Sequence, residues 1–174
     1  MSTRDLIPPK PAARVQFVRL QVAMAVLALA LVAHAGGQVL RRYRFALNET
    51  DSLPNWAFIA DQARRDPKRG ELVVFVAPPN PFYPPGMAFG KIVGGVPGDL
   101  VERHGRAFYV NGRFIGLAKA RAQDGRVVAP GPVGRIPPGR YFVYTPSKDS
   151  LDSRYDLVGW APRQRILGLA TPVL

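Results

Sequence analysis

The chain has 174 residues, 47% of them apolar, which is enough for one modest domain and one core plus an additional segment. It has no cysteine, which removes disulfides, thiolate nucleophiles and Cys-based zinc sites, and its two histidines, His34 and His104, cannot assemble a multi-His metal centre. The net charge is +12, with arginine supplying 19 of the 24 basic residues; such a balance favours anionic partners, but the charges are scattered without an aromatic-basic block, which points to lipid headgroups rather than nucleic acid.

Residues 1–21 combine Pro8, Pro9 and Pro11 with Arg4, Lys10, Arg14 and Arg19 and are expected to form a poorly ordered basic tail. The next nineteen residues, Val22 to Leu40, hold no charge apart from His34 and stop at Arg41-Arg42. At 1.5 Å rise per residue a helix needs about 20 residues to cross a bilayer core, so 22–40 reads as a transmembrane anchor. Ala33-His34-Ala35 also meets the small-x-small rule for signal cleavage, so retained anchor and removed signal are both open.

Residues 45–174 read as the folded domain. Its first unit is Asn48-Glu49-Thr50-Asp51-Ser52-Leu53-Pro54, in which Thr50 and Ser52 project from the same face of an extended segment. That placement allows one hydroxyl to attack while the other donates to a developing oxyanion; a plain linker has the same composition. Ala57 to Arg69 is the only later segment suited to a helical turn or two, ending before Asp66-Pro67.

Beyond it, short strand-like runs follow one another: 71–77, 88–93, 100–103, 107–110, 113–117, 141–145, and 157–160 followed by 165–169. Asn111-Gly112, between Phe108-Tyr109-Val110 and Phe114-Ile115, is a hairpin signal, because a type I′ turn needs positive φ at both central residues. Two Pro/Gly-rich stretches, 78–86 and 129–139, read as extended surface loops. The expected class is all-β.

Among the five lysines, only Lys91 lies inside a strand-like apolar run. Burial disfavours an ammonium and lowers its pKa, and a neutral amine can take a proton from a serine hydroxyl. An exposed lysine on an edge strand is the competing reading. Gly94-Gly95-Val96-Pro97-Gly98-Asp99 follows and reads as a cramped turn that fixes the Lys91 strand. His104, in the polar turn Glu102 to Arg106, reads as an exposed structural histidine. Ser147 to Tyr155 is dense enough in polar residues for a plain surface turn, while the spacing of Asp152 and Arg154 suits a local ion pair that braces the loop and aims Ser150 inward.

Three units in fixed order, Ser52-Leu53-Pro54 after an N-terminal span, Lys91-Ile-Val-Gly-Gly-Val-Pro-Gly-Asp99, and Asp149-Ser-Leu-Asp-Ser-Arg-Tyr155, resemble the type I signal peptidase superfamily of Ser-Lys proteases. Within it, Asn48-x-Thr50-x-Ser52-x-Pro54 and the short Ser150-Leu-Asp-Ser-Arg-Tyr155 ending look like the TraF-type peptidases of conjugative transfer, which mature a pilin subunit. General signal peptidases carry a longer Ser-Met-x-Pro and a Gly-Asp-Asn-Arg where Pro146-Ser147-Lys148 stands here; the glycine and aromatic that TraF-type sequences tend to carry after Ser-x-Pro are Trp56 and Phe58.

The resemblance implies a signal-peptidase-like β-barrel or sandwich on the outer, periplasmic face of the bacterial inner membrane, working without cofactor or metal on a pilin precursor, with membrane lipid as neighbour and no nucleic-acid partner. It implies Ser52 as nucleophile, Lys91 as base, and an oxyanion hole of Thr50 with the Ser52 N–H. Ser150 then holds the Lys91 amine, and Asp152 and Arg154 support that loop. Release by the substrate's own N-terminus, giving a cyclic pilin, is implied alongside hydrolysis. A general signal peptidase, a non-catalytic membrane-tethered β-module and a basic nucleic-acid-binding protein are the alternatives.

Overall fold

A computed structural model of the chain describes residues 11–47, 53 and 57–173. It divides into two units, residues 1–41 and 42–174. Helix α1, Pro11–Arg42, begins well before Val22, so residues 11–21 are helical rather than a loose tail. Within it, Val15–Arg42, 28 residues, holds an 18-residue segment of mean hydropathy 2.0, none of it buried. A helix of this length rises about 42 Å, more than the roughly 30 Å of a bilayer core.

The second unit is built of strands: β1 Tyr43–Leu47, β2 Ala57–Asp61, β3 Leu72–Val76, β4 Ala88–Gly95, β5 Leu100–His104, β6 Ala107–Val110, β7 Arg113–Leu117, β8 Gly134–Arg135, β9 Arg140–Tyr144, β10 Ala161–Pro162 and β11 Ile166–Pro172. They form a seven-stranded sheet ordered β1-β2-β11-β3-β4-β9-β10 and a four-stranded sheet ordered β7-β6-β5-β8. Every strand pairing is antiparallel, and neither ladder closes on itself among the described residues. Of barrel and sandwich, the structure is therefore two open sheets over one core.

That core joins Val73, Phe75, Val93 and Phe142 of the large sheet to Val101, Phe108 and Val110 of the small one, with the Phe108 and Phe142 rings 6.1 Å apart. Each such aromatic contributes about 1.5–3 kcal/mol on burial. Gly94 and Gly95 lie within β4 and not in a turn. They are glycines because a Cβ would meet Tyr144 at 2.9 Å from Gly94, and Ile136 at 2.7 Å from Gly95. The turn itself is Pro97-Gly98, held by Asp99, whose carboxylate accepts from Val96 N (2.8 Å), Asn111 Nδ2 (2.8 Å) and Arg69 Nη2 (2.6 Å).

Asn111 and Gly112 both take positive φ, 49° and 75°, as the hairpin reading requires. Residues 57–61 are strand rather than helix, because β2 is wanted between β1 and β11, pairing with both. Residues 157–160 are a turn: Tyr155 O accepts from Val158 N and Gly159 N at 3.1 and 2.9 Å. The 129–139 stretch is not a simple surface loop, since it contributes β8 and the buried Ile136. His104 is exposed, its ring 5.3 Å from that of Tyr109.

Candidate active site

Lys91 sits in the middle of β4, where alternation turns Phe89, Lys91 and Val93 to the buried face and leaves Ala88 exposed. β4 is an interior strand, paired with β3 through Val73↔Lys91 and with β9 through Ile92↔Tyr144, so the edge-strand reading does not hold. Only 5% of Lys91 is exposed. Burial is the main reason its amine is pushed down from 10.5 to about 8; the Asp152 carboxylate pulls it back up and the Arg154 guanidinium pushes it further down. The amine lies 5.1 Å from the centroid of the Phe89 ring.

Lys91 Nζ donates to Ser150 Oγ over 2.7 Å, and Ser150 is itself buried. The loop that carries Ser150 is closed by its own residues. Val143 and Ser153 exchange two bonds, Val143 N to Ser153 Oγ and Ser153 N to Val143 O, both 2.9 Å. Asp152, wholly buried, accepts Arg154 Nε at 2.9 Å, Arg154 Nη2 at 2.7 Å and Arg154 N at 3.1 Å. The remaining guanidinium hydrogens reach Ser147 O at 2.8 Å and Leu117 O at 3.3 Å.

A buried fork of this kind fixes a loop because each unpaired charge would be costly, so the pair and its carbonyl partners form together. Room for it comes from two glycines. A Cβ at Gly116 would stand 2.7 Å from Arg154 Nη1, and one at Gly131 would stand 2.2 Å from Ser153 O.

Thr50 and Ser52 lie outside the described residues. Leu53, the next residue in the chain, is buried and packs over the neighbour of Lys91: its Cδ1 is 3.3 Å from where a Cβ on Gly90 would be. The structure thus brings together Lys91, Ser150, Asp152 and Arg154.

Two groups at the site escaped the sequence reading. Thr145, fully buried, is one step beyond the Ile92↔Tyr144 pair and so faces Lys91 across β4 and β9; its hydroxyl has no hydrogen-bond partner among the described residues. Tyr83, from the Pro-rich loop, packs edge-on against Phe89 at 5.0 Å. Its loop is braced by Asn80 Oδ1, which accepts from Phe82 N and Tyr83 N at 3.0 Å each, a pattern that Asn-Pro-x-x turns announce in sequence. No group of three or more His, Asp or Glu suited to a metal ion occurs among the described residues.

The family described as signal peptidase, peptidase S26, matches residues 16–174. A conjugal transfer protein TraF of Agrobacterium fabrum is 30% identical over 146 residues, 74% of this chain and 81% of that protein. Its counterpart in Agrobacterium tumefaciens is 30% identical over 169 residues, 87% of this chain and 90% of that one. A probable signal peptidase I-2 of Synechocystis is 35% identical over 120 residues, 61% of this chain and 47% of that protein. A solved signal peptidase I from Enterococcus faecalis, 24% identical, covers 60% of this chain and 97% of its own, with a TM-score of 0.39.

Proposed function

The chain belongs to the signal peptidase family, peptidase S26, and from that premise we propose that it is a membrane-anchored serine endopeptidase with a Ser52–Lys91 dyad that processes a pilin precursor for conjugative transfer. The observation that carries the dyad is the Lys91 amine, dry, lowered to about 8 and held at 2.7 Å by Ser150.

Neutral Lys91 takes the Ser52 hydroxyl proton as Oγ attacks the peptide carbonyl, and the Thr50 hydroxyl with the Ser52 N–H stabilises the oxyanion. The resulting ammonium returns its proton to the leaving amine. Water, activated by the same amine, then hydrolyses the ester; attack by the substrate's own α-amine gives a cyclic product instead. Ser150 acts as a positioning residue for Lys91, and Asp152 with Arg154 holds Ser150. Leu53, one peptide bond after Ser52, packing over Gly90 supports the pairing.

Residues 22–40 serve as a retained anchor, with 1–21 cytoplasmic and 45–174 periplasmic, beside inner-membrane lipid. An exposed apolar row on β1 supports this: Tyr43, Phe45 and Leu47 are 39%, 63% and 59% exposed, and Phe45 stands opposite Ile59, also exposed. Surface this apolar on a strand that starts directly at the end of the helix suits a lipid interface.

The conjugative role is supported by the two TraF relatives, whose names describe conjugal transfer. The Synechocystis relative favours a second reading, a general signal peptidase. Co-expression with candidate pilin followed by mass analysis tests both: native chain should process one pilin, and Ser52→Ala and Lys91→Ala should leave it unprocessed while still folded. Processing of many exported preproteins would favour the second reading. Unchanged processing in either variant rejects the dyad.

A further inference from the structure

Ser150, which accepts from Lys91, also lines a pocket of about 280 Å³. Its lining includes the apolar Phe82, Tyr83, Val128 and Leu151 together with the charged Lys119, Arg121, Asp124 and Asp149. Two contacts join it to the amine: the Ser150 hydroxyl accepts from Lys91, and the Tyr83 ring packs on Phe89, the ring that lies beneath the same amine.

The pocket is pre-formed. Asn80 caps the loop that presents Phe82 and Tyr83, Arg126 lies over the Phe82 ring at 4.6 Å, and Arg126 Nη1 bonds Pro81 O at 3.3 Å. Its opposite wall is a hairpin pinned by Ala122 N to Arg126 O at 2.9 Å and by the Arg121↔Val127 bridge. Small-molecule sites begin at roughly 300 Å³, so this volume suits one large side chain of a peptide rather than a cofactor.

The charges that line the pocket are unequal in availability. Lys119 pairs with Asp149, and Asp124 pairs with Arg126. Arg121 donates to Gly125 O at 2.9 Å and makes no ion pair among the described residues. Its positive charge is therefore left for an incoming group.

We propose that this pocket is a specificity subsite that receives an aromatic or large aliphatic side chain of the substrate peptide, with an acidic group beside it held by Arg121. The inference rests on the peptidase reading for the word substrate, and on geometry alone for the binding.

The test uses the full chain in detergent micelles, titrated with N-acetyl-phenylalanine, its amide, and N-acetyl-alanine while NMR shifts at Tyr83, Val128 and Leu151 are followed. N-acetyl-phenylalanine should bind at least about tenfold more tightly than N-acetyl-alanine, the ring being the buried group. Filling the pocket by Ala122→Trp, or opening it by Tyr83→Ala, should abolish that difference, and Arg121→Gln should abolish the preference for the acid over the amide. Equal affinity for the phenylalanine and alanine compounds, or ring discrimination that survives both pocket variants, overturns the proposal. Discrimination intact in a chain that cleaves no pilin would count against the peptidase and leave the binding site standing.

Discussion

Lys91 Nζ and Ser150 Oγ, 59 residues apart in the chain, meet at 2.7 Å inside the domain. The bond sets where the amine points but does not keep it charged, because burial outweighs the pull of Asp152 and brings it to about 8. A base must be neutral to accept a proton, so the proposed activity should rise as pH rises through about 8 and level off above it. Initial rates on a quenched pilin-derived peptide between pH 6 and 10 check this. A profile flat across pH 8, with the chain still folded, would remove Lys91 from the role of base.

The same shift carries a stability cost. In the unfolded chain the lysine titrates near 10.5 and in the fold near 8, so between those values the unfolded state binds more protons and stability rises with pH. Below about pH 8 the full penalty, on the order of 3 kcal/mol, is present. Replacing the amine by a thioether of similar length removes it, while leaving Ser150 Oγ without its donor costs about 1 kcal/mol. Lys91→Met should therefore be more stable than native by about 2 kcal/mol at pH 7, and inactive. Urea unfolding at pH 7 and pH 10 should show the native chain gaining on the variant as pH rises; a variant less stable than native at pH 7 contradicts the burial argument.

Much of this arrangement is legible in the sequence where local chemistry decides it. Asp152 and Arg154 are two residues apart and form their ion pair within one loop, and Asn111-Gly112 dictates its own turn through backbone conformation. What the sequence hides is decided by distant partners. Gly94-Gly95 looks like a turn because glycine is permissive, yet it is strand, emptied of side chains so that Tyr144 and Ile136 can approach. Residues 57–61 are ambiguous locally and become strand only because β1 and β11 flank them. Strand β1 does alternate, with Tyr43, Phe45 and Leu47 on one face, but Arg44, following Arg41-Arg42 at the helix end, makes it read as the edge of the span. The pocket beside Ser150 draws on residues 82 to 155, and no spacing rule predicts it.

The Asp152–Arg154 pair acts on Lys91 as well as on the loop. Asp152→Asn removes the charge that raises the amine and leaves Arg154, which lowers it. The midpoint of the pH–activity profile should therefore move below that of the native chain. It should also cost about 3–5 kcal/mol of stability, because a guanidinium only 2% exposed is left without its counter-charge. Arg154→Met should move the midpoint the other way. Midpoints that stay fixed in both variants would show that the pair does not reach the amine.

Gly131 tests whether the loop's fit, rather than its charges, positions Ser150. Its N–H donates to Arg154 O at 2.8 Å, and a Cβ there would stand 2.2 Å from Ser153 O, a backbone atom that cannot rotate away. Gly131→Ala must push the 152–154 segment aside, at a cost of about 1–3 kcal/mol for overpacking. Because Ser153 is tied to Val143 and Arg154 to Asp152, the displacement passes along the loop to Ser150 and loosens its hold on Lys91. The expected result is a fall in kcat with KM little changed, together with a lower urea midpoint. If Gly131→Ala lowers stability but leaves kcat at the native value, the loop is held from its charges alone and the glycine serves only the packing of the 129–139 stretch.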